Sequence, residues 1–204
     1  MGNPVLTPGN NAEWIGARKI AGLDGNGQFR ILQIGADGEL VGIDYPHYQV
    51  HHGNFWGAYK RLEGVANDAS VDFLIVTGSG KIPHTTIVVV ATANAFLDWY
   101  PNPTITNDGT EITPLVMNPA TTRTPETKVY FTPTVGAPGT VGPTVVIPGG
   151  ARQTSVGGAA RNGAEIQLAQ SKKYLLRVTN KGGAGVIAHI GLQMEWYEED
   201  PAVE

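Results

Sequence analysis

The sequence predicts an all-β protein built as a sandwich or barrel of short antiparallel strands. Glycine and proline supply 27 and 14 of the 204 residues, and short β-branched runs alternate with turn signals at regular spacing. No long stretch has the 3.6-residue period of an amphipathic helix. Apolar residues make up 41% of the chain, which is too many for a disordered protein, while charged residues make up only 16%.

Residues 1–44 are predicted to form a separate N-terminal arm with a β-hairpin. Turn signals at 24–27 and 36–38 flank the run FRILQI at 29–34, and the run ELVGI follows them. Asp-Gly between apolar runs favours a hairpin because glycine adopts a positive φ without steric cost. We expect FRILQI to pair with ELVGI or with a neighbouring chain. In the alternative, FRILQI is an edge strand of the main sandwich.

Residues 45–204 are predicted to form the sandwich domain. The run at 86–91 is continuously apolar and β-branched, which predicts a strand covered on both faces. Only residues 57–66 are compatible with a helical turn or two. The predicted strands are 48–52, 71–77, 85–93, 95–100, 112–117, 128–132, 144–147, 164–169, 173–179 and 185–197.

The last predicted strand has the clearest pattern in the chain, an alternation of apolar and mostly polar or small residues. This two-residue period predicts one buried face and one wetter face. A glycine-rich loop at 180–185 precedes it, which predicts that the strands on either side are antiparallel neighbours. The predicted buried face consists of Val186, Ala188, Ile190, Leu192, Met194 and Trp196.

Two segments resemble ligand-binding loops but lack their defining residues. Residues 77–81, Thr-Gly-Ser-Gly-Lys, have Ile75 and Ile82 where a phosphate-binding loop requires Gly and Ser or Thr. Residues 24–28 begin like a calcium loop, but Phe29 and Gly35 occupy the positions of its glycine and its bidentate glutamate. Both segments are therefore predicted to be turns.

The histidines and serines do not predict a metal site or an active site. His47, His51 and His52 form the only histidine cluster; on the predicted strand only His47 and His51 share a face, whereas structural zinc requires four ligands. Ser79 and Ser155 lie in glycine-rich segments without the motif of a nucleophilic serine. We therefore predict no catalytic, cofactor-binding or metal-binding residues, and a protein that is not an enzyme.

Acidic and aromatic residues gather near the end of the chain. Glu195, Glu198, Glu199 and Asp200 are predicted to form a solvated terminus, not an acid–base pair. The aromatic residues have two interpretations: anchors for a protein or sugar partner, or plugs for the ends of the sandwich core. These aromatic residues are Phe55, Trp56, Trp99, Tyr100, Trp196 and Tyr197.

Charge and composition exclude several classes of partner and location. The formal net charge is −4 without a Lys/Arg block, which argues against nucleic acid as a partner. The absence of cysteine removes any dependence on an oxidising compartment. The first residues lack the features of a signal peptide, and no apolar run is long enough to span a bilayer. We expect a soluble protein made in the cytoplasm.

Several short stretches resemble small virion structural proteins of tailed bacteriophages: capsid decoration (cement), head-fibre or tail-associated proteins. The resemblance covers about residues 45–200 and leaves residues 1–44 outside it. It is carried by His51-His-Gly-Asn54, Asn118…Arg123, Pro133-Thr…Gly139-Thr140, Lys173-Tyr-Leu-Leu-Arg-Val-Thr-Asn180 and Glu195-Trp-Tyr-Glu198.

The resemblance implies a jelly-roll-like β-sandwich, a homotrimer and no catalytic residues. It implies a capsid decoration protein that is made in the host cytoplasm, localises to the virion and binds the major capsid protein or other virion proteins. No cofactor, nucleic acid or membrane is implied. The alternative is a receptor- or carbohydrate-binding module of a head or tail fibre.

Overall fold

The computed structural model describes residues 20–23, 29–32, 45–149 and 165–201. By its internal contacts, the chain divides into two compact units, Met1–His47 and Tyr48–Glu204. The predicted boundary between residues 44 and 45 stays a prediction, as does the role of the first unit.

The described elements are one short helix and fifteen strands. The helix is α1 (Tyr45–His51). The strands are β1 (Ile20–Leu23), β2 (Phe29–Leu32), β3 (Phe55–Val65), β4 (Ser70–Val76), β5 (Ile82–Ala91), β6 (Ala95–Pro101), β7 (Thr104–Asn107), β8 (Thr110–Ile112), β9 (Leu115–Val116), β10 (Lys128–Phe131), β11 (Thr134–Ala137), β12 (Thr144–Ile147), β13 (Ile166–Gln167), β14 (Lys173–Asn180) and β15 (Ala188–Glu199).

The first unit contains a two-stranded antiparallel sheet. Ile20 of β1 lies opposite Leu32 of β2, and Leu23 lies opposite Phe29. FRILQI therefore supplies a hairpin strand, but its partner precedes it in the chain. The expected pairing of FRILQI with ELVGI or with a neighbouring chain stays a prediction, because β2 can accept a second partner on its other edge. ELVGI lies outside the described residues.

The second unit is an antiparallel β-sandwich, as predicted. Sheet I has six strands in the order β12-β6-β14-β4-β10-β8, and sheet II has five in the order β13-β5-β15-β3-β9. β7 and β11 form a separate two-stranded ribbon. The short strands β7 and β11 were not predicted, and the predicted strand at 112–117 is two strands, β8 in sheet I and β9 in sheet II.

Strands far apart in sequence are neighbours in sheet I. β14 lies between β4 and β6 and pairs with both, which is the Greek-key kind of connection found in jelly rolls. β15 lies in sheet II, between β5 and β3. The prediction that the last two strands are hairpin neighbours is therefore wrong. The glycine-rich loop between them crosses from one sheet to the other.

The core lies between the two sheets and is lined by alternate residues of their strands. The predicted inward face of β15 is confirmed from residue 188 onward, where exposure ranges from 0% to 3%. Val186 precedes the strand and is 37% exposed, so its predicted burial is wrong. Other core side chains include Trp56, Phe73, Ile75, Val89, Val129, Ile147, Leu176 and Val178.

β5 is covered on one face only. Ile87 and Val89 are buried against sheet I, whereas Val90, which points to the other face, is 42% exposed. The prediction that both faces are covered is wrong. A run of β-branched residues is compatible with either environment, because such side chains favour strands whether or not both faces are buried.

Residues 48–52 are not the predicted strand. α1 begins at Tyr45, and Pro46 in its first turn is a residue that helix starts tolerate well. Gly53 ends it with a φ of +70°, and its N–H donates to the Val50 carbonyl at 3.0 Å. Residues 57–66, predicted to be the only helix-compatible stretch, lie mostly in β3. In the described part of the chain, no helix is long and apolar enough to cross a membrane.

β3 has an open edge over most of its length. β9 pairs only with Trp56 and Gly57, so among the described strands residues 58–65 have a partner on one side, β15. Lys60 lies opposite Leu192 on the core-facing side of this strand. Its Nζ sits over the ring of Phe131 from sheet I, 3.8 Å from the centroid. A charged group thus occupies the margin of the sandwich, held there by a cation–π contact.

Leu192→Asp should lower the free energy of unfolding by several kcal/mol, because it buries an unpaired carboxylate in the core. That loss is a large share of a total of about 5–15 kcal/mol. His189→Asp is the matched control on the exposed face of the same strand. Chemical denaturation of both variants is the measurement. Equal midpoints would contradict the assignment of the two faces.

Candidate functional site

Two stretches that carry the phage resemblance meet at one corner of the sandwich. The side chain of Asn118 donates to the carbonyl of His51 at 3.0 Å, and Arg123 donates to the side chain of Asn54. The indole N–H of Trp56 donates to the Arg123 carbonyl at 3.2 Å. At Gly53, a Cβ would lie 2.4 Å from Thr121 Oγ1, so this corner requires glycine for space as well as for its backbone angle.

The acidic end of the chain is not the solvated terminus that was predicted. β15 continues to Glu199, so its carboxylates alternate between the two sides of sheet II. Glu198 is only 7% exposed. Its two carboxylate oxygens accept the backbone N–H groups of Glu126 and Thr127, at 2.9 and 2.7 Å. This carboxylate therefore holds the residues before β10 against the end of β15.

The Thr-Gly-Ser-Gly-Lys segment is a turn between β4 and β5, as predicted. The backbone N–H of Gly80 donates to Glu126 Oε2 at 2.8 Å. Lys81 forms an ion pair with Asp200. Groups that would hold a phosphate in a nucleotide-binding loop thus bind carboxylates of the protein itself.

The outer face of sheet I combines apolar side chains with internally paired charges. Arg177 of β14 forms a bidentate salt bridge with Asp72 of β4, in which both N···O distances are 2.8 Å. This hydrogen bonding raises the pKa of Arg177. The side chain of Thr144 donates to Asp98 at 2.6 Å. These four side chains use their hydrogen-bonding groups on one another, so few of those groups remain for a ligand.

An aromatic row crosses the outer face of sheet II where β15 ends. His84, Tyr197 and Phe55 are cross-strand neighbours, and their rings stack with centroid separations of 4.9 and 6.3 Å. Nδ1 of His84 contacts Glu165, and Nε2 lies 3.4 Å from Glu199 Oε2. The Tyr197 hydroxyl also donates to Glu165, at 2.8 Å. Glu165 thereby ties the start of β13 to two strands of the sheet.

Tyr59 extends this outer face along β3. Its hydroxyl donates to Glu195 Oε1 at 2.8 Å, and the Gln193 amide donates to the same oxygen at 3.1 Å. The pKa of Tyr59 is raised to about 12, first by burial of its hydroxyl and then by the hydrogen bond and the charge of Glu195. Tyr59 as a whole is nevertheless 43% exposed to solvent.

The histidine cluster lies in and just after α1. The ring of His52 stacks on Tyr48 with centroids 3.9 Å apart, and its Nδ1 lies 2.9 Å from the Tyr48 carbonyl. Among the residues that the structure describes, no three His, Cys, Asp or Glu side chains are grouped so as to hold a metal ion. The calcium-like segment at 24–28 and Ser155 lie outside the described residues.

Two of the aromatic residues match the core interpretation. Trp56 and Trp196 are core residues, 3% and 1% exposed, with ring centroids 6.3 Å apart. Phe55 is half-buried in the outer aromatic row. Tyr59 and His84 were not predicted as functional residues. An alternating reading of 55–65 would have placed Tyr59 on the same face as Phe55.

No protein-family model, curated protein or solved structure matches this chain. Its function therefore has to be inferred from its own residues.

Glu198→Ala should destabilise the sandwich by about 1–3 kcal/mol, because it leaves two backbone N–H groups at a buried position without an acceptor. The control is Glu111→Ala, which removes an exposed carboxylate paired with Lys128. That change should cost no more than about 0.5 kcal/mol. Thermal and urea denaturation measure both. A Glu198 variant as stable as the control would show that the buried carboxylate contributes nothing net.

Glu195→Gln should lower the pKa of Tyr59, because it removes a negative charge beside the phenol, while burial keeps the value above 10. NMR titration of labelled tyrosine rings measures this shift. Glu63→Gln, on the same face but paired with Arg61, is the control. Because folding raises this pKa, the stability from neutral Tyr59 is fully present below pH 10 and is lost between pH 10 and about 12. An unchanged Tyr59 pKa in Glu195→Gln would contradict the coupling.

Proposed function

We propose that the protein is a non-enzymatic structural component of a phage virion, most specifically a capsid decoration protein that binds and stabilises the head lattice. The observation that carries this proposal is the division of the chain into a β-sandwich body and a separate N-terminal unit containing the β1–β2 hairpin. The resemblance stated for residues 45–200 supplies the virion context.

The β1–β2 hairpin favours a role in attachment. A two-stranded sheet is marginally stable on its own in water and gains stability by packing against another surface. Four residue pairs connect β1 and β2, and their sequences include isoleucine, leucine and phenylalanine. An apolar hairpin of this size is suited to attachment, since contact with a partner protein would bury it.

The body suits repeated display on a lattice. Its outer strands β8, β9, β12 and β13 are two to four residues long, so none of the four offers a long edge of its own to another copy. Weak contacts repeated across a symmetric particle add up through multivalency, so no single contact has to be strong. A homotrimer, with the major capsid protein as the partner, is the assembly we propose.

Deleting residues 1–44 should leave a folded body that no longer sediments with particles lacking the protein. Light scattering and thermal melting report the mass and fold of the truncated chain, and co-sedimentation reports its binding. A second variant keeps the full length but replaces residues 20–32 with a Gly/Ser segment, which separates the hairpin itself from chain length.

Two outcomes would contradict the arm proposal. An aggregated truncation would mean that residues 29–34 complete the sandwich. A well-folded truncation that still covers particles at full occupancy would mean that attachment resides in the body.

A further inference from the structure

The outer face of sheet II presents an aromatic ring beside hydrogen-bonding groups that the fold does not use. The cross-strand neighbours Val88, Gln193 and Tyr59 form one row, and Thr86 and Glu195 lie in the next row. We call these five residues the Tyr59 face. With three strands about 4.8 Å apart and two rows two residues apart at a rise of about 3.3 Å per residue, the face measures roughly 10 by 7 Å between Cα positions.

The Tyr59 ring packs over Gly57, two residues earlier in β3. A Cβ on Gly57 would come within 2.6 Å of Tyr59 Cε2 and within 2.7 Å of the Met117 methyl, so the ring occupies the space above this glycine. The bond from its hydroxyl to Glu195 fixes the far end of the side chain. The ring is thus positioned before any ligand arrives, which reduces the entropy lost on binding.

The polar groups around the ring retain hydrogen-bonding capacity. Both bonds to the Glu195 carboxylate end on Oε1, and within the described part of the chain Oε2 accepts none. An ionised carboxylate accepts up to about four hydrogen bonds. The Gln193 carbonyl oxygen belongs to the same strand, two residues before Glu195, and the Thr86 hydroxyl belongs to the adjoining strand β5.

We propose that the Tyr59 face binds a neutral oligosaccharide. The C–H groups on one side of a pyranose ring carry slight positive charge and pack on the negative face of an aromatic ring. Sugar hydroxyls would donate to Glu195 Oε2 and Gln193 Oε1 in charge-assisted and neutral hydrogen bonds respectively. The proposal is independent of the capsid role: a sugar-binding face could serve a decoration protein or a fibre module equally.

The charges on this face favour a neutral ligand over a charged one. Glu195 would repel an acidic sugar, and the nearby Arg61 is already paired with Glu63 at 2.6 Å. A cationic ligand is disfavoured because recognition of ammonium groups uses several rings arranged around the charge. Here the face carries a single ring, with Val88 on the strand beyond Gln193 and Val90 further along that strand.

The test is NMR titration of the full-length, ¹⁵N-labelled protein with cellohexaose, maltohexaose and chitohexaose in separate experiments. A short polylysine peptide is a fourth probe. We expect at least one oligosaccharide to shift the signals of Tyr59 and Gln193 at millimolar concentration, with an affinity that does not change with salt, since no ion pair forms.

Three variants separate stacking from hydrogen bonding. Tyr59→Ala should weaken binding at least about tenfold by removing the ring. Tyr59→Phe keeps the ring and should bind more tightly than Tyr59→Ala. Glu195→Gln should weaken binding by removing the charged acceptor. The matched control is Tyr48→Ala, which removes a tyrosine of similar exposure, 45%, in α1. Amide spectra confirm that each variant is folded.

The proposal is overturned if none of the three sugars shifts the signals of the face, or if polylysine binds there and the sugars do not. It is also overturned if the three variants, Tyr59→Ala, Tyr59→Phe and Glu195→Gln, are folded and all bind the sugars as tightly as the unmodified protein does. If the unmodified protein binds none of the sugars and Tyr59→Ala no longer binds particles, the Tyr59 face is a protein interface and the sugar proposal is wrong. Capsid attachment through residues 1–44 is measured separately, so either proposal can fail alone.

Discussion

The two-residue alternation of β15 is the constraint on which the sandwich body depends. This strand pairs along most of its length with β3 on one side and β5 on the other, so its register sets theirs. Leu192 and Met194 face the core, and Gln193 and Glu195 between them face outward. A slip of one residue would exchange the two sets, which is why core packing and the outer face are fixed together.

The parts of the fold that were predictable have strong local signals. Residues 144–147 form β12 as expected, and the alternation from 188 to 196 located the core face of β15. Failures occurred where the decisive contacts are distant in sequence. A glycine-rich loop looks the same whether it closes a hairpin or crosses between sheets. β3 was not predicted, because the charged residues Lys60, Arg61 and Glu63 interrupt its apolar pattern. Its strand conformation depends on pairing with β15, which is distant in sequence.

The acidic residues show why the candidate site was out of reach of sequence patterns. His84 and Tyr197 come from two strands and Glu165 immediately precedes a third, and the sheet alone makes them neighbours. Glu198 is a chemically ordinary glutamate until the segment before β10 brings two backbone N–H groups to it. A cluster near the end of the chain was therefore predicted to be solvated, although the fold gives each carboxylate a different partner. Composition indicates which groups exist, and topology decides which of them meet.

The inward-facing Lys60 at the open edge of β3 bears on self-association. An uncharged open strand of this length would be a template for another sheet, and molecules held side by side at high local concentration could join into continuous aggregates. A sheet added at this margin would trap the ammonium group away from water, at a large desolvation cost. β12 is limited in another way, by Pro143 before it and Pro148 after it, which lack the N–H needed to extend a ladder. These two edges are therefore poorly suited to extending a sheet into a neighbouring molecule.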